Sequence, residues 1–171
     1  TTGVLDTGAM STIMSVPVAV KLGVLSEDTP LGEEVRAVDA HGDLLQGERV
    51  PLGELAVGAH RWVNVTAVVL GSHPDLFLIG ADLLQDVDLY LAADEGLVGL
   101  FEAGAAPKEP GDLVIPLDRG QRQLTVPAQA PAKGGADVRF SLIVDTGASD
   151  TSVPAFVGTN EGLPADLGYQ S

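Results

Sequence analysis

A six-residue stretch that occurs twice constrains this 171-residue chain more than any other feature. Residues 4–9 read VLDTGA and residues 143–148 read IVDTGA. In each copy a short apolar run predicts a buried strand that carries an aspartate, Asp6 or Asp145, at its end. The glycine two positions later allows a tight turn and a close approach of the backbone to the carboxylate. The two aspartates are 139 residues apart, which is a domain length, so we predict two related units rather than a short repeat.

The repeated aspartate also indicates a chemistry. A lone carboxylate at the end of a buried strand is costly unless it is hydrogen-bonded or paired, and the second copy offers a partner. Two carboxylates held together across a pseudo-twofold axis share a proton, so one can act as general base on a water while the other acts as general acid. The alternative is that each aspartate caps a strand-to-turn junction, twice by common descent, without any chemistry.

The composition argues against several classes of function. Nine basic and 24 acidic residues give a formal net charge of −15, which argues against nucleic acid and anionic membranes as partners. The absence of cysteine excludes disulfides, thiol catalysis and zinc–thiolate sites. The histidines His41, His60 and His73 lie at predicted turns without metal-ligand spacing, and the acidic residues within 86–95 lack the pattern of a calcium loop. We therefore predict neither a metal nor another cofactor.

The segment between the two motifs has the pattern of a mostly β lobe. Short apolar runs alternate with turns marked by Gly or Pro, which favours a small barrel or sandwich. Residues 33–40 and 44–50 flank a His-Gly-Asp turn and predict a hairpin. Apolar residues at the odd positions from 63 to 69 predict a strand with one buried face. We expect residues 3–103 to form one closed lobe with little helix.

Two short helices are expected within this lobe. An apolar strand at residues 76–79 ends in Gly80 and leads into a helical turn near residues 81–85, and we expect this strand to lie beside the Asp6 loop. Residues 10–24 predict a strand that turns into a short helix, with Gly23 as its stop.

The predicted domain organisation is a first lobe at residues 1–104, a linker rich in Gly, Ala and Pro at 105–111, and the start of a second lobe at 112–171. The chain opens without Met close to Asp6 and stops shortly after the second motif, so we expect a piece of a longer protein. No apolar run is long enough to cross a membrane. The composition leaves the compartment open, and we favour an extracytoplasmic one.

At the two motifs the sequence resembles the retropepsin-like aspartic proteases of the pepsin clan. The likeness rests on LDTGAMST at residues 5–12 and VDTGASDT at residues 144–151, and on a hairpin followed by an apolar-apolar-Gly strand. It covers the first 104 residues and only part of the rest. The resemblance implies a closed, barrel-like β lobe with a flap hairpin and one short helix, followed by a partial second lobe of the same type.

The resemblance also implies roles for individual residues. Asp6 and Asp145 would form the catalytic dyad. Thr7 and Thr146 would cross-brace the two loops. Gly8 and Gly147 would offer backbone amides beside the carboxylates. The hairpin residues that would close over a peptide as a flap are Ala40, His41, Gly42 and Asp43. The supporting apolar-apolar-Gly residues are Leu78, Ile79 and Gly80.

The predicted function is that of an aspartic endopeptidase acting on a peptide or unfolded protein bound in extended form. The partner of Asp6 is either the second lobe of the same chain or a second molecule. We expect these 171 residues alone to be inactive or feebly active as a monomer, and the full-length protein to cleave an unfolded substrate. The rival prediction is a non-catalytic member of the same fold that binds peptides or dimerises. Met10, where the family usually has a small or acidic residue, favours the rival, whereas intact Asp-Thr-Gly in both copies favours the enzyme.

Overall fold

The computed structural model describes residues 2–26, 32–38, 43–71, 75–92, 94–108, 123–131 and 137–150. Strands hold 56% of these residues and helices 9%, which confirms the mostly β fold class. The strands are β1 Val4–Leu5, β2 Ile13–Ser15, β3 Glu33–Val38, β4 Leu44–Val57, β5 His60–Leu70, β6 Phe77–Ile79, β7 Val87–Ala92, β8 Leu97–Glu102, β9 Thr125–Pro131 and β10 Asp137–Ile143. The helices are α1 Val16–Lys21 and α2 Ala81–Leu84.

Six strands form the main sheet, in the order β1-β6-β2-β5-β4-β3. The β1–β6 and β2–β5 pairs are parallel, and the other neighbours are antiparallel. The β3–β4 pairing runs from Glu33↔Arg49 to Val38↔Leu44, as expected for the predicted hairpin. The turn residues 39–42 lie outside the described residues. The β4–β5 hairpin is the longest, and its register shifts near Gly53, whose φ of 79° lies in the left-handed region that favours glycine.

Closure of this sheet into a barrel, which we expected, is not observed among the described residues. The sheet ends at β1 on one side and at β3 on the other. Short strands and turn signals specify local hairpins, whereas closure requires the first and last strands of the order to pair. Strand β1 has only two residues, and β3 carries charged side chains at Glu33, Glu34 and Arg36, a composition typical of an open edge.

Both short helices lie next to sheet strands. Helix α2 falls at the predicted position, and its buried residues Ala81 and Leu84 face the core. Helix α1 has Pro17 in its first turn, where a missing N–H costs nothing. It is followed by Gly23 at a φ of 72°, in agreement with the predicted stop. The lobe therefore contains two short helices rather than the one that the family likeness implied.

The core lies under the Asp6 loop and along β5. Met14 and Ala19 are fully buried, and Ile79 of β6 packs in the same cluster with Leu5 of β1 against it. The predicted alternation along β5 is interrupted at Asn64, whose φ is 56°. Val63 is therefore 69% exposed although Val65 is buried.

The remaining strands form two separate hairpins, β7–β8 and β9–β10. After β8, the carboxylate of Asp88 accepts hydrogen bonds from the backbone N–H groups of Gly104 and Ala106, at 2.8 and 3.2 Å. These bonds tie the chain that follows β8 back to β7. The predicted linker boundaries at residues 104 and 111 stay a prediction. No helix in the described part of the chain has the length and hydropathy needed to span a membrane.

Candidate active site

The first aspartate loop is built on the edge of the main sheet. Strand β1 pairs in parallel with β6 through Val4↔Leu78 and Leu5↔Ile79. The Asp6 N–H then donates to the Ile79 carbonyl at 2.9 Å. The hydrogen bonding of the sheet continues up to Asp6. The sheet therefore fixes the backbone position from which the Asp6 side chain projects. The strand at residues 76–79 thus lies beside the Asp6 loop, as predicted.

Gly80 is required because the Asp6 loop passes directly over it. A Cβ at this position would lie 2.9 Å from the carbonyl oxygen of Ala9, closer than real Cβ atoms approach. The next N–H, from Ala81, donates to the same carbonyl at 2.7 Å. The apolar-apolar-Gly segment therefore supports the Asp6 loop from below by close backbone contact.

A buried threonine completes this support, and it is one that we did not identify from sequence. The Thr12 side chain is fully buried. Its hydroxyl donates to the Asp82 carboxylate at 2.9 Å and accepts the Gly80 N–H at 3.2 Å. The sequence offered only a weak signal, because a threonine directly before β2 and an acidic residue in the first turn of α2 each need a partner when buried.

The second aspartate loop has a smaller support among the described residues. Hairpin β9–β10 pairs from Asp137↔Pro131 to Ile143↔Thr125. The Val144 N–H then donates to the Leu124 carbonyl at 2.8 Å. The hairpin thus carries the chain into Asp145, as predicted.

The two loops have the same internal hydrogen bonds. Oδ1 of Asp6 accepts the N–H groups of Gly8 and Ala9, both at 3.0 Å. Oδ1 of Asp145 accepts the N–H groups of the equivalent glycine and alanine, at 2.8 and 3.1 Å. Each glycine amide is thus bonded to the carboxylate of its own loop, and one oxygen of each aspartate is held in place.

Thr7 and Thr146 join the loops by reciprocal hydrogen bonds. The Thr7 hydroxyl donates to the Val144 carbonyl at 2.6 Å and accepts the Thr146 N–H at 3.0 Å. The Thr146 hydroxyl donates to the Leu5 carbonyl at 2.6 Å and accepts the Thr7 N–H at 3.1 Å. Each hydroxyl therefore satisfies two backbone groups of the other loop. This exchange has pseudo-twofold symmetry.

The glycines bring the two carboxyl groups together. A Cβ at Gly8 would lie 2.5 Å from Oδ2 of Asp145, and a Cβ at Gly147 would lie 2.8 Å from Cγ of Asp6. Each glycine thus packs against the aspartate of the other loop. One further contact crosses between the loops, from the Gln123 side-chain amide to the Gly8 carbonyl at 3.4 Å, and sequence patterns did not predict it.

Burial and the second carboxyl group raise the pKa of Asp6. Desolvation is the largest cause, and both the charge of Asp145 and a hydrogen bond to it act in the same direction. The N–H groups of Ala9 and Gly8 oppose the shift. Asp6 is half-buried, whereas Asp145 is exposed. The raised pKa of Asp6 therefore has a geometric cause in its burial and in the neighbouring carboxyl group.

The predicted flap residues are only partly described. Asp43 is exposed and immediately precedes β4, and Ala40, His41 and Gly42 lie outside the described residues. The structure therefore brings together the dyad, the loop threonines and glycines and the apolar-apolar-Gly strand. Within the described ranges, no three His, Asp or Glu side chains are grouped so that they could hold a metal ion.

Comparison with known proteins agrees with this geometry for the first lobe. A model of the family described as "gag-polyprotein putative aspartyl protease" matches residues 1–86. The matched segment contains the Asp6 loop, all six strands of the main sheet and α2. The second aspartate loop follows after the matched segment. No curated protein and no solved structure matches the chain.

Proposed function

The chain belongs to the gag-polyprotein aspartyl protease family, and on that premise we propose that it is an endopeptidase in which Asp6 and Asp145 activate a water molecule. The observation that carries the proposal is the reciprocal contact between the two loops. If each aspartate only capped its own turn, the bonds from Gly8, Ala9 and their equivalents would suffice. The crossed threonine bonds and glycine contacts do something more, because they hold two carboxyl groups against each other.

The proposed mechanism uses one proton on the pair. The ionised carboxylate takes a proton from the water as its oxygen attacks the peptide carbonyl carbon, and the protonated carboxyl donates to the carbonyl oxygen. The tetrahedral intermediate then collapses: the carboxyl that took the water's proton donates it to the amide nitrogen, the C–N bond breaks, and the other carboxylate takes a proton from a hydroxyl of the intermediate. The raised pKa of Asp6 favours Asp6 as the carboxyl that carries the proton at the start, while Asp145 acts as the base.

The proposed substrate is a peptide or unfolded protein in extended form. Hairpin β3–β4, with Ala40, His41, Gly42 and Asp43 at its turn, is proposed to close over it and exclude water during the reaction. The contacts between the loops occur within a single chain, which supports an intramolecular dyad over one formed by two molecules.

The experiment is the cleavage rate of a reduced and alkylated test protein between pH 3 and pH 8. We expect a bell-shaped profile with its maximum on the acid side of neutral, because only the singly protonated pair is active. Asp6→Asn is the inactive control. A rate that rises to a plateau at neutral pH, or that is lost on adding a metal chelator, would refute the dyad.

The second candidate is a peptide-binding module without catalysis, and the observation that favours it is the apolar Met10, which directly follows the first loop and is 57% exposed. The same test protein discriminates between the two. Saturable binding without hydrolysis at any pH in this range would establish the module, and hydrolysis would exclude it.

A further inference from the structure

The pseudo-twofold relation between the loops breaks down immediately after their shared residues. Aspartate, threonine, glycine and alanine occupy equivalent positions in the two loops, with equivalent hydrogen bonds. The next position is Met10 in the first loop and Ser149 in the second. The two sides of the dyad therefore present different chemistry to a molecule that lies across it.

Met10 is held at this place while its side chain stays in solvent. The Ala9 N–H is bonded to Asp6, and the Ala9 carbonyl accepts the Ala81 N–H at 2.7 Å, so the backbone just before Met10 is fixed. The Met10 side chain is 57% exposed and lies outside the core cluster. Exposed apolar residues are common on protein surfaces, but this one lies four residues from a catalytic carboxylate. Methionine is flexible and polarizable, which suits it to contact apolar groups of varied shape.

Ser149 offers the opposite chemistry on the other side. It is exposed, and its hydroxyl donates to the carboxylate of Asp150 at 3.4 Å. Asp150 is exposed as well. A hydroxyl and a carboxylate accept hydrogen bonds from a polar or basic group, and they would be left without partners by an apolar one.

We propose that Met10 and Ser149 make substrate selection directional, with an apolar substrate side chain beside the first loop and a polar or basic one beside the second. The inference rests on the proposed function, because it concerns the peptide that the dyad cleaves. It predicts an enzyme whose preferences at the two symmetry-related substrate positions differ, although the catalytic loops themselves are equivalent.

The experiment is cleavage-site profiling with a mixture of randomised peptides, read by mass spectrometry at the pH of maximum activity. We expect a preference of about tenfold for apolar over polar side chains at one substrate position, and not at the equivalent position across the scissile bond. Met10→Ser should reduce that preference to less than about twofold, because the apolar contact is lost. Met10→Leu should retain it.

The reciprocal exchange sharpens the test. In the double variant Met10→Ser, Ser149→Met the apolar preference should move to the opposite side of the scissile bond. Val63→Ser is the matched control, because Val63 is an equally apolar side chain, 69% exposed, on a strand outside the loops. Its profile should equal that of the wild type. The fluorescence of Trp62, which is buried, reports that each variant is folded.

The possible failures are distinguishable. Cleavage with the same preference on both sides, or a profile that Met10→Ser leaves unchanged, would overturn the directional inference and leave the proposed function standing. Absence of cleavage by the folded full-length wild type at every pH tested would overturn the proposed function, and this inference with it.

Discussion

The two aspartate loops share their sequence and internal hydrogen bonds but differ in what surrounds them. The first lies on the six-stranded sheet, with Asp6 half-buried and Thr7 only 2% exposed. The second follows the two-stranded β9–β10 hairpin, and Asp145 is exposed. A four-residue motif is thus enough to set the local geometry of a carboxylate. Its environment is set by strands that are distant in sequence, and for Asp6 that environment is the largest cause of the raised pKa.

The difference also shows how the loops depend on each other. Each loop has one carbonyl and one N–H group that are hydrogen-bonded to the threonine hydroxyl of the opposite loop. The Asp6 loop, although it lies on the larger sheet, therefore needs the Asp145 loop to complete its own hydrogen bonding. Equivalent substitutions in the two loops test whether each loop depends on the other.

The largest effect is expected from removing either carboxyl group. Asp6→Asn and Asp145→Asn should each reduce turnover by at least about a thousandfold, and the double variant should be little worse, because the two groups act as one unit. Peptide binding should survive, since asparagine keeps the size and shape of the aspartate side chain. The measurement is the cleavage rate of the three variants. Wild-type turnover by Asp145→Asn, together with loss in Asp6→Asn, would refute the intramolecular dyad and assign Asp6 a partner in another molecule.

The next effect comes from a methyl group at each loop glycine. In Gly8→Ala the new Cβ would lie 2.5 Å from Oδ2 of Asp145, and in Gly147→Ala 2.8 Å from Cγ of Asp6. We expect turnover to fall about a hundredfold in Gly8→Ala, because a displaced carboxyl no longer meets the water correctly, and less in Gly147→Ala.

The matched control for the glycine variants is Gly71→Ala, since a Cβ there meets nothing within 4 Å. It should behave as wild type. Full activity in Gly8→Ala would mean that Asp145 lies farther from Gly8 during catalysis than it does in this structure.

A stability loss of intermediate size is expected from the threonines. Thr7→Ala should lower the free energy of unfolding by about 1–3 kcal/mol, because the partly buried Val144 carbonyl and Thr146 N–H lose their partner, while some activity remains at low temperature. Thr146→Ala should cost a similar amount, because it removes the partner of the Leu5 carbonyl and of the N–H of Thr7, a residue only 2% exposed. Chemical denaturation measures both, and the Thr→Ser variants, which keep the hydroxyl, should lie near wild type. Wild-type stability in both Thr→Ala variants would show that the crossed hydrogen bonds do not contribute to folding.

The smallest effect concerns stability and pH. The pKa of Asp6 is above its ordinary value in the folded state, so folding favours the protonated form. The associated stabilisation is present below the ordinary pKa and is lost as the pH rises through the raised one. Asp6→Asn, which cannot ionise, should therefore melt slightly above wild type at neutral pH, and this advantage should shrink towards pH 3. Thermal unfolding across that range measures it, and an advantage that grows on acidification would contradict the shift.

The sequence predicted what is local and missed what depends on long-range pairing. The apolar-Asp-Thr-Gly-Ala pattern was sufficient for both loops, and the turn signals were sufficient for the β3–β4 hairpin and α2. Closure of the sheet was a poor prediction, because it depends on whether two edge strands meet. The Thr12–Asp82 bond joins residues 70 positions apart, and no local pattern pairs them. Asn64 interrupts the period-two alternation of β5 through one unusual φ, which composition does not reveal.

The crossed threonine bonds also affect the order in which parts of the molecule fold. They join residues 139 positions apart, and contacts of such long range are slow to form because a long loop must first close. The β3–β4–β5 hairpins can pair as soon as they leave the ribosome, whereas the dyad cannot exist until residues 144–146 have been synthesised and docked. In a nascent chain the strands of the main sheet can therefore pair before the two aspartates are brought together. Under the proposed function, hydrolysis has to wait until the second aspartate loop has been synthesised and has docked on the first.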